Sequence, residues 1–362
     1  MPPAPRNSMG QNQLDVDLSG SGSYCKARIF EAHSMQKSGS EVSSNDRQNL
    51  VADVGGTNTR VGLAMGATLR SETVRKYKNK AHESLEHVLS SYVADSGAQD
   101  LDGACIAVAG PVSEAAGELT NLAWSFSTHS LQEATGASRV AILNDLQAQG
   151  HGLAGLDPAR LSTVFAGQPA KADAAKLAVG VGTGFNAAPV FAANGTKIVA
   201  ASECGHVPLP VSNEAELHLA RALTRDFGYA EVEEVISGRG LEYLYRYMAR
   251  QNGQSVQMEA AQIMANFEAG HDPVAEQTVA QFIRTLAMSI GHLAMVQLPF
   301  GGIYLIGGVA RAMAPHFDRF DFVATLQDKG RFSDLARAFP IYVVEDDFAA
   351  LVGCADHLAA DF

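Results

Sequence analysis

Two glycine–threonine turns, each preceded by an apolar run, constrain the fold of this chain more than any other feature. The first lies in the segment 50–61 (LVADVGGTNTRV) and the second in the segment 177–186 (LAVGVGTGFN). Each apolar run predicts a buried strand, and each turn brings backbone N–H groups close enough to a ligand to cradle phosphate oxygens. One such turn alone is more typical of an ordinary hairpin than of a phosphate site. Two of them, more than a hundred residues apart, favour a duplicated domain with a nucleotide between its halves.

Composition excludes several classes of protein. The 362 residues are 46% hydrophobic and 18% charged, which is typical of a globular protein with two domains. The net charge of -12 argues against nucleic acid as a partner, because phosphate backbones bind clustered lysine and arginine. It does not exclude ATP, which backbone N–H groups and Mg²⁺ hold without a basic surface. The cysteines Cys25, Cys105, Cys204 and Cys354 lack CxxC pairing, which favours a reducing cytosol over a disulfide framework or a zinc knuckle.

The first 48 residues differ from the rest of the chain. They are rich in Ser, Gly, Asn and Gln and lack a periodic apolar pattern, so we predict a disordered N-terminal tail at 1–48. This tail has no apolar signal core, and no uninterrupted apolar stretch of the chain is long enough to cross a membrane. We therefore expect a cytoplasmic protein without a membrane partner.

Strand-like and helix-like segments alternate after the tail, which predicts an α/β protein with two related halves. Besides the two apolar runs before the turns, the predicted strands are 61–64, 104–109, 140–143, 303–306 and 341–344. The predicted helices are 83–93, 146–150, 274–298 and 349–359.

Asn144 and Asp145 follow the predicted strand at 140–143, where open α/β sheets place their ligand groups. The carboxylate of Asp145 would accept a proton from a bound hydroxyl as a general base, and the Asn144 amide would fix a hydroxyl-rich ligand. The alternative is that Asp145 only caps the helix that follows it.

Two further acidic residues and a histidine have the chemistry of sugar ligands. Glu203 and His206 flank a glycine turn, from which both side chains would hydrogen-bond vicinal sugar hydroxyls. A surface turn with an incidental histidine is the alternative. Glu233 is another candidate hydroxyl ligand, although a solvated helix face explains it equally well.

Asp53 lies just before the first glycine turn. Its carboxylate would repel phosphates unless a cation intervened, so it predicts Mg²⁺, bound directly or through water.

Gly307 and Gly308 end the predicted strand at 303–306 and would let an adenine ring lie flat against the backbone, with a plain strand-to-helix turn as the alternative. No G-x-x-x-x-G-K-[ST] loop is present, and the glycines at 180–184 lack the dinucleotide-binding spacing.

As an ordered set these residues resemble the bacterial glucokinases, which belong to the actin-like superfamily of sugar kinases and ATPases. The resemblance covers residues 49–357 and rests on the segments DVGGTN (53–58), LND (143–145), GTG (182–184), GH (205–206), ISGRGL (236–241), GG (307–308) and DKGRF (328–332). It implies a two-domain actin-like (ribonuclease H-like) α/β fold with a cleft between the domains. The small domain would comprise 49–150 and 341–362, and the large domain 151–340.

The resemblance also implies a reaction and a role for each candidate residue. Glucose or a related hexose would meet MgATP in the cleft, and Asp145 would take the proton from the sugar 6-hydroxyl. The residues that would bind the other hydroxyls or shape the sugar pocket are Asn121, Asn144, Glu203, His206 and Glu233. The residues that would hold ATP are Asp53 (through Mg²⁺), Gly55, Gly56, Thr57, Asn58, Gly182, Thr183, Gly184, Gly307 and Gly308. Dimers occur in this family, so a homodimer is a further candidate.

Two positions depart from the family pattern. Asn186 replaces a glycine in the second turn and would add bulk where the backbone approaches the nucleotide. Cys204 replaces the first glycine of a Glu-Gly-Gly-His pattern, where a positive φ would impose strain. Neither change removes the proposed base, so we expect an active glucokinase. The alternatives are a kinase for another hexose and a sugar-binding regulatory paralogue.

Overall fold

The structure, a computed structural model, describes residues 47–110, 116–119, 124–193 and 196–360. Nearly all of the predicted tail at 1–48 lies outside these ranges. Every strand and helix predicted from the sequence is present, with ends within three residues of those expected. The strands are β1 (Gln48–Val54), β2 (Asn58–Met65), β3 (Thr68–Lys78), β4 (Gly103–Val108), β5 (Ala116–Leu119), β6 (Trp124–Ser127), β7 (Arg139–Asn144), β8 (Leu161–Phe165), β9 (Lys176–Val181), β10 (Phe185–Ala193), β11 (Thr196–Val199), β12 (Ile303–Ile306) and β13 (Ile341–Val344). The α-helices are α1 (Leu85–Ser96), α2 (Thr128–Thr135), α3 (Asp145–Gly152), α4 (Glu214–Phe227), α5 (Gly238–Gln251), α6 (Ala260–Ala269), α7 (Pro273–Gln297), α8 (Gly308–Met313), α9 (Phe322–Gln327), α10 (Ser333–Ala336) and α11 (Ala349–Ala359).

The first sheet has the strand order β3-β2-β1-β4-β7. Strands β1, β2 and β3 form an antiparallel meander, whereas β1, β4 and β7 run parallel. All six residues of β4 are buried, as expected for a central parallel strand that is covered on both faces. The register places Val54, Val108 and Asn144 side by side at the carboxyl ends of the parallel strands.

The second sheet repeats this arrangement, with the order β11-β10-β9-β12-β13-β8. Strands β9, β10 and β11 form the antiparallel meander, and β9, β12 and β13 run parallel. Strand β8 is added antiparallel at the far edge. Apart from β8, the two sheets share one strand order, which agrees with the two related halves expected from the paired glycine turns.

Strand β13 corrects one predicted boundary. We expected 341–344 to lie in the domain of the first sheet, but β13 pairs with β12 and β8 in the second sheet. The segment is a short apolar run that fits a buried strand of either sheet, and only a long-range pairing, Ile303 with Ile341, decides between them. The helix that follows, α11, does pack on the first sheet.

Helices α3 and α11 join the two sheets and contact each other closely. In α3, Leu146 packs on Gly180 of the second sheet, while α11 packs Leu351 and its neighbours on the first sheet. The close contact between the two helices requires glycine at position 353, because a Cβ there would overlap the carbonyl oxygen of Ala148. Helix α3 is therefore fixed in position from both sides.

Helix α7 is the central helix of the largest hydrophobic core, which packs against the second sheet. Its residues Phe282, Ile283 and Leu286 are completely buried. By length and composition alone, α7 is long and apolar enough to cross a membrane, although Glu276 and Arg284 interrupt its apolar sequence. However, 61% of its most apolar stretch is buried inside the protein, so α7 is a core helix.

Candidate active site

Asp145 is the first residue of α3 and directly follows β7, at the carboxyl edge of the first sheet. Asn144 caps α3: its Oδ1 accepts from the Leu146 N–H at 3.0 Å and its Nδ2 donates to the Gly110 carbonyl at 3.2 Å. Asp145 Oδ1 also accepts from the Leu146 N–H, at 2.8 Å. Both residues therefore cap α3, and the hydrogen bond from the Leu146 N–H fixes the orientation of the Asp145 carboxylate.

The surroundings of Asp145 raise its basicity. Burial raises the pKa of Asp145 to about 7, and the nearby charges of Asp53 and Glu203 act in the same direction. The hydrogen bond from Leu146 has the opposite and smaller effect. A carboxylate with a pKa near neutrality is suited to accept a proton from a hydroxyl at physiological pH. The structure thus brings two other predicted site carboxylates, Asp53 and Glu203, within electrostatic reach of Asp145.

Asp53 faces Arg60 across the β1–β2 hairpin, and their side chains form an ion pair at 3.2 Å. Burial raises the pKa of Asp53, and the Arg60 charge opposes this shift. Within the described ranges, no group of three or more His, Cys, Asp or Glu side chains is arranged to hold a metal. Mg²⁺ commonly takes one or two carboxylates and otherwise water and substrate phosphates, so a single carboxylate at Asp53 fits this ion.

A buried asparagine that the sequence did not single out shapes the first glycine turn. The Asn79 side chain donates to the Gly55 carbonyl at 2.7 Å and accepts from the Thr59 hydroxyl at 2.9 Å. Its backbone N–H donates to the Thr57 carbonyl at 3.0 Å. These bonds occupy carbonyl groups of the turn, while Gly56 and Thr57 remain exposed. The turn is thereby held in one shape without covering its exposed residues.

The second glycine turn follows β9 and lies beside Gly307. The Gly182 N–H donates to the Gly184 carbonyl at 2.9 Å, which closes the turn and leaves Thr183 exposed. Gly307 follows β12 with a φ of 112°, and a Cβ there would overlap the Val181 carbonyl oxygen. Only glycine fits this position, because both the φ and the close approach exclude a side chain.

Open space remains where a nucleotide would lie. A Cβ at Gly182 or at Gly308 would meet no atom within 4 Å. The N–H of Gly238, the first residue of α5, donates to the Gly182 carbonyl at 2.9 Å. The positive end of the α5 dipole therefore lies at the second turn, where it favours an anion.

Glu203 and His206 lie at a short 3-10 turn, Cys204–His206, that follows β11. His206 Nδ1 is 3.1 Å from Glu231 Oε2, and this hydrogen bond raises the pKa of His206. Glu231 was not among the predicted site residues. The side chains of Glu203 and His206 are both exposed, which leaves them free to contact a ligand.

The carboxylate of Glu233 joins the two glycine-containing segments of the second half. Its Oε2 accepts from the Phe185 N–H at 2.9 Å, and its Oε1 accepts from Arg239 at 2.7 Å. A Cβ on Gly184 would lie 2.6 Å from Oε2, and the Glu233 N–H donates to the Gly205 carbonyl at 2.9 Å. The sequence predicted a hydroxyl ligand or a solvated residue here, and neither expectation included this connecting role.

Asn186 and Cys204, the two departures from the family pattern, contact each other. Asn186 Oδ1 accepts from the Cys204 N–H at 3.1 Å and from its Sγ at 3.4 Å. Asn186 Nδ2 donates to the Ser202 carbonyl at 2.5 Å, so its bulk lies against the segment 202–204. Burial raises the pKa of Cys204 to about 11, which keeps the thiol protonated as a donor. Cys204 is not among the residues with positive φ, so the expected strain is absent.

Asn121 lies outside the described residues, and Asn58 is the first residue of β2. The remaining predicted residues lie at the carboxyl edges of the two sheets or in the segments bonded to those edges. The sequence missed their partners Arg60, Asn79 and Glu231. Asn79 and Glu231 come from other segments of the chain, so no local motif marks them, whereas Arg60 lies within the first glycine-turn segment, opposite Asp53 in the β1–β2 hairpin.

This fold and this arrangement of turns define an α/β sugar kinase. The structure matches the crystal structure of a glucokinase from an Antarctic psychrotroph with a TM-score of 0.77 and 29% identity, covering 87% of this chain and 99% of the other. It also matches a ROK family glucokinase from Streptomyces griseus, with a TM-score of 0.57 and 17% identity, covering 86% of this chain and 97% of the other. The second likeness supports the fold alone.

Sequence comparison defines the family. The chain is 32% identical over 316 residues to a glucokinase from Caulobacter sp. (strain K31), covering 86% of this chain and 95% of that relative. The family model for glucokinase matches residues 50–361. The chain belongs to the glucokinase family and is an ATP-dependent hexose kinase.

Proposed function

We propose that this enzyme transfers the γ-phosphate of ATP to the 6-hydroxyl of glucose, with Asp145 as the general base. The observation that carries the proposal is the environment of Asp145, a half-buried carboxylate with a pKa of about 7 at the carboxyl ends of the parallel strands of the first sheet. The Streptomyces griseus glucokinase, which has the same fold, was solved with glucose and AMPPNP. Its ligands support a hexose and ATP as the two substrates.

The chain has, in this proposal, the two-domain actin-like arrangement with the substrates in the cleft. The repeated strand order of the two sheets supports it. With β13 assigned to the second sheet, the small domain comprises 49–150 and 345–362, and the large domain comprises 151–344. Asp145 then belongs to the edge of the small domain, and the second glycine turn belongs to the large domain.

The chemistry requires alignment and charge neutralisation more than covalent participation of the protein. Backbone N–H groups of the two glycine turns and the amino end of α5 hold the phosphate oxygens. Gly307 and Gly308 lie near the adenosine. Asp145 accepts the proton of the 6-hydroxyl as that oxygen attacks the γ-phosphorus. Asp53 would hold Mg²⁺, directly or through water, and the ion would supply positive charge to neutralise the phosphates.

The other sugar hydroxyls are bound by Asn144, Glu203, His206 and Glu233, with Asn121 shaping the pocket. Glu233 is already bonded to backbone and to Arg239. A carboxylate has about four acceptor sites, so two contacts leave capacity for a hydroxyl. An analogue that lacks a hydroxyl leaves these polar groups unpaired, and this penalty is the source of sugar specificity.

A reducing, cytoplasmic location is part of the proposal. Cys105, Cys204 and Cys354 are free, buried thiols in the described part of the chain. Free cysteines of this kind are typical of a compartment in which thiols stay reduced.

The experiment that tests the function measures ADP formation from MgATP across a panel of hexoses. Asp145→Asn is compared with the wild type, and Asp157→Asn, which alters a different carboxylate that caps a 3-10 turn, is the matched control. We expect glucose to give the highest kcat/KM and Asp145→Asn to lower kcat by about 10²–10⁴-fold with glucose binding retained. Wild-type turnover in Asp145→Asn would contradict the role of the base. Saturable glucose binding without turnover in the wild type would instead indicate a sugar-binding paralogue.

A further inference from the structure

A groove between α4 and α5 carries four arginines that have no role in the proposed reaction. Its volume is about 590 Å³, within the range of about 300–1,000 Å³ that small-molecule pockets have. Helix α4 contributes Arg221 and Arg225, and α5 contributes Arg246 and Arg250. In each helix the two arginines are four residues apart, a spacing at which like charges destabilise a helix. Two such pairs facing one groove therefore call for a negatively charged occupant.

The carboxylates around the groove do not neutralise these arginines. Asp226 is the one acidic residue that lines it, and its two oxygens accept from Arg225 at 2.8 Å and from the Tyr243 hydroxyl at 3.0 Å. Arg221, Arg246 and Arg250 form no ion pair with a carboxylate among the residues that the structure describes. Glu242 and Glu259 line a neighbouring pocket with Arg246, so the unpaired positive charge in the groove lies mainly on Arg221 and Arg250. This excess of positive charge lies on a chain whose net charge is -12.

The Arg246 side chain is held in place, and one of its N–H donors has no acceptor. Its guanidinium lies 5.2 Å from the centroid of the Tyr243 ring, in a cation–π contact. Its Nε is buried and has no hydrogen-bond partner within the described ranges. Buried donors are nearly always paired in native proteins, so Nε is an unsatisfied donor beside the groove. The Tyr243 ring also contacts Phe227, at 5.1 Å, which leaves the ligand to be recognised by its charge rather than by stacking.

We propose that this groove binds a small organic compound that carries two phosphate groups. Three arginines that form no ion pair match two phosphates, each of which has a charge of about -1.5 to -2 at neutral pH. Guanidinium groups bind phosphate through paired N–H donors, and arginine is well suited to such a site. The groove shares no lining residue with the proposed active site.

Arginine modification locates the binding directly. The full chain is treated with phenylglyoxal at increasing concentrations of inorganic pyrophosphate, and the modified arginines are mapped by mass spectrometry. We expect pyrophosphate to protect Arg221 and Arg250 and to leave Arg160 and Arg331, which are exposed elsewhere, unprotected. Fructose 1,6-bisphosphate and ADP are then compared as probes, because a bisphosphorylated sugar and a nucleoside diphosphate share the same chemistry. The probe that protects at the lower concentration identifies the source.

A pair of double variants provides the second measurement. Arg221→Ser/Arg250→Ser should weaken pyrophosphate binding in calorimetry by at least about tenfold, whereas Arg160→Ser/Arg331→Ser should leave it unchanged. Equal affinity in both variants, or absence of protection, would overturn the proposal, because the anion would then bind elsewhere. A change of oligomeric size in the groove variant without pyrophosphate binding would also overturn it. Glucose-dependent ADP formation should persist in the groove variant, so this test does not depend on the proposed kinase mechanism.

Discussion

The thiol of Cys204 donates to the side-chain oxygen of Asn186 at 3.4 Å, and the Cys204 N–H donates to the same oxygen at 3.1 Å. Each residue stands where the family pattern has glycine, and each alone looked unfavourable in the sequence. Their contact makes them one joint change. Together with the bond from Asn186 to the Ser202 carbonyl, it fixes the loop that carries Glu203 and His206.

Asn186→Gly is therefore expected to impair glucose binding more than catalysis. Loss of the bonds to the 202–204 segment frees the loop, and we expect the KM for glucose to rise about tenfold while kcat changes less. Initial rates at varied glucose concentration measure both. Asn252→Gly, at the exposed end of α5, is the matched control. In a double-mutant cycle, Cys204→Gly should add little once Asn186 is gone, and fully additive effects would contradict the coupling.

The rate should depend on pH through Asp145. Because burial raises the pKa of Asp145 to about 7, the carboxyl is protonated below that pH and cannot accept the hydroxyl proton. We expect kcat/KM for glucose to fall about tenfold per pH unit below 7 and to reach a plateau above it. The pH–rate profile of the wild type measures this directly. A flat profile between about pH 5.5 and 8 would show that the base has an ordinary carboxyl pKa.

Asn79→Ala should destabilise the protein and weaken ATP binding together. The change leaves the buried Thr59 hydroxyl and the Gly55 carbonyl without their partner, at a cost of about 2–3 kcal/mol. Urea unfolding measures the stability, and initial rates give the KM for ATP, which should rise. Asn252→Ala, at an exposed asparagine, should change stability by no more than about 0.5 kcal/mol. If the variant were destabilised but its KM for ATP were unchanged, Asn79 would contribute to stability and not to nucleotide binding.

Gly353→Ala tests the contact between α3 and α11. The added methyl would overlap the Ala148 carbonyl oxygen, so we expect a loss of about 3 kcal/mol in unfolding free energy and a lower kcat as α3 shifts with Asp145. Gly136→Ala is the control, because that glycine has a φ of 69° but open space around it. It should cost only about 1–2 kcal/mol and leave kcat unchanged. Equal effects of the two variants on kcat would rule out a positioning role for the helix contact.

Local pattern predicted the elements of this fold well. The apolar run at 140–143 and the spacing at 349–359 are sufficient to define β7 and α11, because burial on a strand or one helix face has its own period. The sheet to which a strand belongs could not be predicted from local pattern. Nothing within 341–344 distinguishes the first sheet from the second, since the pairing of β13 with β12 links residues far apart in the chain.

The candidate site shows the same difference between features that depend on local sequence and features that depend on long-range contacts. Asp145 and the glycine turns are visible in the sequence because their chemistry depends on their immediate neighbours. The roles of Asn79, Glu231 and Asn186 depend on contacts with distant segments, and no spacing rule marks these. Glu233 combines both cases: its residue type is suggestive, but its contacts with Phe185 and Arg239 are known only from the fold.

The packing of α11 on the first sheet has a consequence for synthesis of the protein. Val51 and Cys105 on one face of that sheet are covered by Leu351, Cys354 and their neighbours, which the ribosome adds some three hundred residues after Val51. Until then this apolar face has no native cover, and exposed faces of this kind are where nascent chains associate wrongly or recruit chaperones. Asp145 on α3, the proposed base, also lacks its native support during this interval. Translation therefore delays a competent catalytic site until residues near 358 have emerged.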